Sequence, residues 1–169
     1  MRWRTYCLAA VLGLTCGCAA YLLGPVNGAT AGDQSIEVAP FNNQTLQPRL
    51  GDSLTQATRE CLQQDGTYHL ATHGEGDIRL TGVIQAYQRS AIGYLSTDAV
   101  TPEDFQVGMD VHVTAYDVDT GKVLLDKVIH AFTLVHVGSD LASAERQAMP
   151  LLAEDAAQKI NELMSEGSW

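Results

Sequence analysis

Apolar and polar residues alternate without a break from Phe105 to Ala115. Phe105, Val107, Met109, Val111, Val113 and Ala115 share one side, and Gln106, Asp110, His112 and Thr114 stand between them. A period of two predicts a strand with one buried face. Asp117-Val118-Asp119-Thr120-Gly121 then turns the chain, with Gly121 available for positive φ, and Lys122 to Val137 is expected to return as the antiparallel partner. Upstream, Ile78, Leu80 and Ile84 place a longer strand at Asp77 to Arg89. Ile36 and Val38 place a short one at Ser35 to Val38, which Pro40 ends or confines to an edge. Thr67 to Thr72 reads as a brief extended piece before a turn at His73-Gly74-Glu75-Gly76, and the polarity and proline of Gly93 to Pro102 predict a loop.

The period changes in two other segments. Leu50, Leu54, Ala57, Cys61 and Leu62 recur at helical spacing and lie on one face, with Pro48 suited to a first turn and Gly66 to a C-terminal cap. A second helix is expected from Ser143 to Met164, with Ala148, Leu151, Leu152, Ala156, Ile160, Leu163 and Met164 inward. Pro150 would kink it or mark its start. Helices before and after a series of strands predict an α+β fold, with two helices packed on one face of a mixed, largely antiparallel four-stranded sheet. Residues 35–169 form a single domain on this reading, with no internal repeat.

Before the first strand the chain follows other rules. Arg2 and Arg4 precede an apolar run from Tyr6 to Leu14, followed by Thr15, Cys16 and Gly17. The pattern is that of a secretory signal peptide, and its run is well short of the roughly 20 apolar residues a bilayer span needs. Leu14-Thr15-Cys16-Gly17-Cys18 resembles a bacterial lipoprotein box, so residues 1–17 are expected to be removed and Cys18 to carry the lipid. Cys16 is the poorer candidate, because cleavage before it would put Thr15 where a small Gly or Ala is preferred. The box departs from the usual pattern in holding Thr15 three residues before Cys18, with Leu14 one further back. The alternative, cleavage after Ala19 or Ala20, would give a soluble periplasmic protein; Gly17 and Cys18 closing the apolar run favour the lipid box. Residues 18–34, rich in Gly, Pro, Asn and Ala, read as a lipidated tether. Several acyl chains, at ~0.8 kcal/mol per buried methylene, hold a protein on a membrane far more firmly than one.

Composition narrows the chemistry. The chain has 169 residues, 46% of them apolar, with 10 Lys and Arg against 20 Asp and Glu. Removing residues 1–17 takes two arginines and no acid, leaving 8 basic against 20 acidic side chains, a balance of −12. That charge and the lack of a basic stripe exclude nucleic acid as a partner. Of the four cysteines only Cys61 would remain free, so no internal disulfide is available; it falls in the helical stripe and is expected to be a buried, inert thiol. His69, His73, His112, His130 and His136 show no metal-ligand spacing, and Asp117 to Gly121 lacks the Gly and Glu that a calcium loop needs further on. No nucleophile elbow and no phosphate-cradling loop occur. Neither metal, cofactor nor enzyme activity is expected.

Ile36-Glu37-Val38-Ala39-Pro40-Phe41-Asn42-Asn43-Gln44-Thr45, together with Gly17-Cys18-Ala19-Ala20-Tyr21, resembles the LptE family of lipopolysaccharide-assembly lipoproteins. The likeness extends through Pro48-Arg49-Leu50, the long central strand pair and Ala144-Glu145-Arg146-Gln147-Ala148. It implies a non-enzymatic outer-membrane lipoprotein, anchored on the periplasmic side, that sits in the lumen of the β-barrel LptD as plug and assembly aid and contacts lipopolysaccharide. Pro40, Phe41, Asn43 and Thr45 are then candidates for partner binding. Their residue types also suit a strand end with Asn and Thr turn bonds. Lys127, Arg79 and Arg89 are the candidates for lipopolysaccharide contact, although the acidic balance repels a polyanion unless these cations cluster. A Pro-Phe-x-Asn-x-Thr segment also occurs in lipoproteins resembling activators of cell-wall synthases and in secretion lipoproteins, which gives the alternative: a periplasm-facing lipoprotein that activates a synthase or scaffolds a secretion pore.

Overall fold

The computed structural model describes residues 32–73, 76–95, 98–137 and 140–166. The signal peptide, Cys18 and the tether up to residue 31 lie outside them, as do Gly74 and Glu75 of the expected turn. In chain order the elements are β1 (Ser35–Val38), β2 (Asn42–Asn43), α1 (Leu50–Asp65), β3 (His69–Leu70), β4 (Ile78–Leu95), β5 (Asp98–Asp117), β6 (Val123–His136) and α2 (Leu141–Ser165).

The strands form one sheet in the order β3-β1-β4-β5-β6, with β2 also paired to β4. The expected four-stranded, largely antiparallel sheet is thus corrected to six mixed strands. β1 pairs parallel with β3 and β4, and β2 parallel with β4; only β4–β5 and β5–β6 are antiparallel. Two physical reasons hid this. Strands β2 and β3 have two residues each, too few to show a period. Parallel neighbours need a crossover, here supplied by α1, whereas reading strands in chain order suggests hairpins.

The alternating run behaves as expected. Val107, Met109, Val111, Val113 and Ala115 are buried; the last four meet Ile36, Val38, Ile78, Leu80, Ile84, Leu125 and Ile129 on one face of the sheet, and Val107 packs with Val135 and Ala148 beside them. Leu50, Leu54 and Leu62 of α1 and Leu152, Ala156, Ile160 and Met164 of α2 close that core, so both helices cover one face. Leu151 points outward, 52% exposed; the inward stripe of α2 instead includes Ala153 and Ala157.

Several boundaries move. Helix α1 starts at Leu50, two residues after Pro48, because Arg49 takes a left-handed φ of 62°. Gly66, φ 71°, caps its end as expected. Helix α2 starts at Leu141, where Asp140 accepts hydrogen bonds from the amides of Ala142 and Ser143, and it continues through Pro150 as one helix. The segment expected as a loop at Gly93 to Pro102 is mostly strand. Pro102 sits beyond the last β5–β6 pair, Asp104 with His136, and register irregularities flank its pairing with Tyr94. Its missing N–H therefore costs no bond to a third strand.

Candidate partner-binding surface

The Pro40 to Thr45 segment joins β1 to α1. Phe41 is buried, and its ring fills the space over Gly82 of β4 that a side chain there would need. The Phe41 amide donates to Thr55 Oγ1 at 2.9 Å, and Thr55 Oγ1 donates to the Gly51 carbonyl at 2.7 Å. Asn43 Oδ1 accepts from the amide and hydroxyl of Thr45, while Asn43 Nδ2 donates to the Gln47 carbonyl at 2.7 Å. Pro40 is exposed beside these bonds. The residue types of the motif are therefore accounted for by an internal joint, with only Pro40 wholly at the surface.

The three candidate cations do not converge. Arg79 meets Glu37 at 3.3 Å on the face away from the helices. Arg89 meets Glu145 of α2 at 2.6 Å and lies 5.7 Å from the centre of the Phe105 ring. Lys127 is exposed on β6, in register with Val113 and through it with Gly82, seven residues along β4 from Arg89. That separation is about 20 Å at ~3.3 Å per strand residue.

The histidines give the opposite result. Cross-strand register brings His112, His130 and His136 onto the face the helices leave bare, each against a carboxylate. His112 Nε2 lies 2.5 Å from Asp126, His130 Nδ1 2.7 Å from Asp110, and His136 Nδ1 2.7 Å from Asp104. The Asp104 hydrogen bond, with further help from the charges of Asp104 and Glu103, holds the His136 imidazolium above its ordinary value despite some opposing desolvation. Among the described residues no group of three His, Cys, Asp or Glu stands where a metal ion could be held.

On the same face of β6 as His130 and His136 stand Val128, Phe132 and Leu134, all at least 46% exposed. Among the described residues only Lys159 of α2 reaches them, its ammonium 5.0 Å from the Phe132 ring centre. The sequence reading missed this surface, though a signal was present. Leu125, Ile129, Ala131 and Val135 form one apolar set on β6, and Val128, Phe132 and Leu134 form a second on the opposite face. Apolar residues on both faces are the mark of a strand covered twice.

Cys61 is half-buried, its thiol pushed up first by burial and then by the charges of Asp65 and Glu162, which disfavours the reactive thiolate. Tyr68 donates to the Met164 carbonyl at 2.9 Å, and burial, with the Asp65 charge, pushes its phenol up to about 12. The Asp117 carboxylate accepts the amide and hydroxyl of Thr120, which fixes the β5–β6 turn with Gly121 at φ 70°.

These features define a two-layer α+β domain whose sheet, among the described residues, carries helices on one side only. Residues 34–164 match the family described as LptE, lipopolysaccharide-assembly. The chain belongs to that family. Its fold is similar to three bacterial structures. One is a protein from Xanthomonas campestris (TM-score 0.59, 10% identity, covering 84% of this chain and 91% of that one). Another is the minor lipoprotein of Acinetobacter baumannii (0.53, 14%, 78% and 91%). The third is a lipoprotein B from Nitrosomonas europaea (0.50, 10%, 78% and 82%). At such identities the likeness is one of fold. No curated protein matches the sequence.

Proposed function

We propose that this protein is the lipid-anchored, non-enzymatic subunit of an outer-membrane lipopolysaccharide translocon, seated in the lumen of an LptD-type β-barrel as plug and assembly aid. The observation that carries the reading is the family match, which spans both helices and the whole sheet. Cys18 is the anchor, on the periplasmic side of the outer membrane, and residues 18–34 are the tether to the domain. No described helix is long and apolar enough to cross a membrane, which fits attachment by lipid. A porin-like lumen is polar and water-filled, and the outward side of the helices, with Asp52, Glu60 and Glu154 exposed, can stand in that water without touching the wall.

Within this reading the Pro40–Thr45 joint contributes to the barrel contact through exposed Pro40 and through the loop shape that Phe41, Asn43 and Thr45 fix. Lys127, with no carboxylate partner among the described residues, is the best placed of the three cations for a lipopolysaccharide phosphate. Arg79 and Arg89 would have to leave Glu37 and Glu145 to take part.

The test is capture of the full-length protein from detergent-solubilised outer membrane. Recovery of a large β-barrel in equimolar amount is the expected result. Recovery of a cell-wall synthase or a secretion pore in its place would move the function to the alternative reading. Cys18→Ala is expected to release the protein from the membrane fraction; an acylated species of unchanged mass would remove the anchor assignment.

A further inference from the structure

The two layers of the domain expose different chemistry. The outward helix surface is polar and acidic, with Leu151 its one strongly exposed large apolar side chain among the described residues. The bare face of the sheet carries Val128, Phe132 and Leu134 on β6, with Leu134 63% and Phe132 53% exposed. A sheet face meant for water alternates to polar residues, so three apolar side chains on one such strand mark a surface that is covered in use.

Carboxylates outnumber fixed cations on the same face. Asp104, Asp110 and Asp126 each pair with a histidine, Arg79 is tied to Glu37, and Lys159 reaches round the β6 edge to within 5.0 Å of the Phe132 ring centre. At its centre Gly108 stands between its register neighbours Gln88 and Phe132 and contributes no side chain. The result is a depression of about 220 Å³, lined in part by Gln88, Ser90, Gln106, Asp110 and Phe132. It has an apolar side at Phe132 and acceptors at the Gln88 and Gln106 amides and at Asp110, whose Oδ1 is held by His130 Nδ1 at 2.7 Å and whose Oδ2 has only a long 3.5 Å contact with Gln88. That combination fits the stem and head of an inserted arginine or lysine, with apolar surface for the methylenes and a carboxylate for the charge.

We propose that the bare face of the sheet, centred on β6 and the depression at Gly108, is the surface that seats against the inner wall of a protein barrel presenting basic side chains among apolar and aromatic ones. The proposal rests on the barrel-bound reading above and names which side of the domain meets the wall. Charge complementarity selects this occupant. A second copy of so acidic a chain, 8 basic against 20 acidic side chains after residue 17, would be repelled, and so would a phosphate-rich glycolipid.

The experiment compares two pairs of lysine substitutions in the full-length, membrane-anchored protein. Val128→Lys with Leu134→Lys alters the bare sheet face; Gln56→Lys with Gln158→Lys adds the same charge to the helix side. All four side chains are exposed, so both variants are expected to fold, which circular dichroism checks. The sheet variant should recover about tenfold less barrel than wild type, the scale of losing a contact at an interface centre, while the helix variant recovers as much as wild type. A photo-crosslinker at position 134 should join the barrel, and one at position 56 should not. Equal recovery by the sheet variant, crosslinking at position 56 alone, or a detergent-stable dimer that the sheet lysines disperse would each overturn the proposal. Wild-type protein that brings down no barrel overturns the functional reading itself. Wild type that does so while the sheet variant does equally overturns only the choice of face.

Discussion

Two residues hold the joint between β1 and α1 by what they leave out. A Cβ on Gly82 would clash with the Cδ1–Cε1 edge of the Phe41 ring, and a Cβ on Gly51 would stand 2.7 Å from the Phe41 carbonyl oxygen. Gly82→Ala should therefore destabilise the fold by about 1–3 kcal/mol, the usual cost of forcing atoms into a filled core. In a Phe41→Leu background the same change should cost less, because the occupant of the space has shrunk, and urea unfolding of the four proteins gives the coupling directly. Additive costs would show that Phe41 does not fill that space. At the other end of the sheet, His136 titrates above its ordinary value because Asp104 accepts its proton-bearing nitrogen. A raised folded value means the contribution is complete below the unfolded pKa near 6.5 and is lost as pH rises through the folded one. An NMR titration should find the His136 midpoint lowered by Asp104→Asn.

Among the elements, β6 shows how an edge strand is managed. Its amide at Phe132 donates to Asp155 Oδ2 at 3.0 Å, and its carbonyl at His130 accepts from Lys159 Nζ at 2.9 Å. Asp155 and Lys159, one turn apart on α2 and bonded to each other at 2.7 Å, therefore fill part of the ladder that a further strand would use. Replacing both with alanine should leave those groups free to pair with another chain. Light scattering on heating should show earlier aggregation than in wild type, and an unchanged onset would mean the edge is protected by something else. Elements of this kind differ in how far the sequence discloses them. The β5 run and the Gly66 cap are legible because period and φ are local properties. The covering of β6 by Asp155 and Lys159 is not, since it depends on where a helix far along the chain lands. The His–carboxylate pairs belong to the same class: their partners lie 14, 20 and 32 residues apart and meet only through strand register. For the same reason Arg79, Arg89 and Lys127, alike as charges in the sequence, lie apart in the fold.

At the scale of the molecule, the position of β1 decides where the folded unit begins. β1 lies inside the sheet, between β3 and β4, although it is the first strand of the chain. The Ser35 amide and hydroxyl bond to the Asp77 carboxylate at 2.8 and 2.7 Å, and the Gly32 amide bonds to the Thr67 carbonyl at 3.0 Å. Chain removed before Gly32 takes away none of these, whereas removal of β1 leaves β3 without its partner and exposes Leu50, Leu54, Ile78 and Leu80. The unfolded chain gains nothing that offsets the loss, since each buried Leu or Ile is worth about 1.5–3 kcal/mol of transfer from water. A protein starting at residue 32 should therefore unfold cooperatively within a few degrees of the full-length mature form, whereas one starting at residue 40 should show no cooperative transition. Thermal melts of the two, followed by circular dichroism, separate a tether that only spans distance from one that is part of the domain. A fall of more than a few degrees for the protein starting at residue 32 would place structural work in the tether itself, and the domain boundary at residue 35 would have to move toward Cys18.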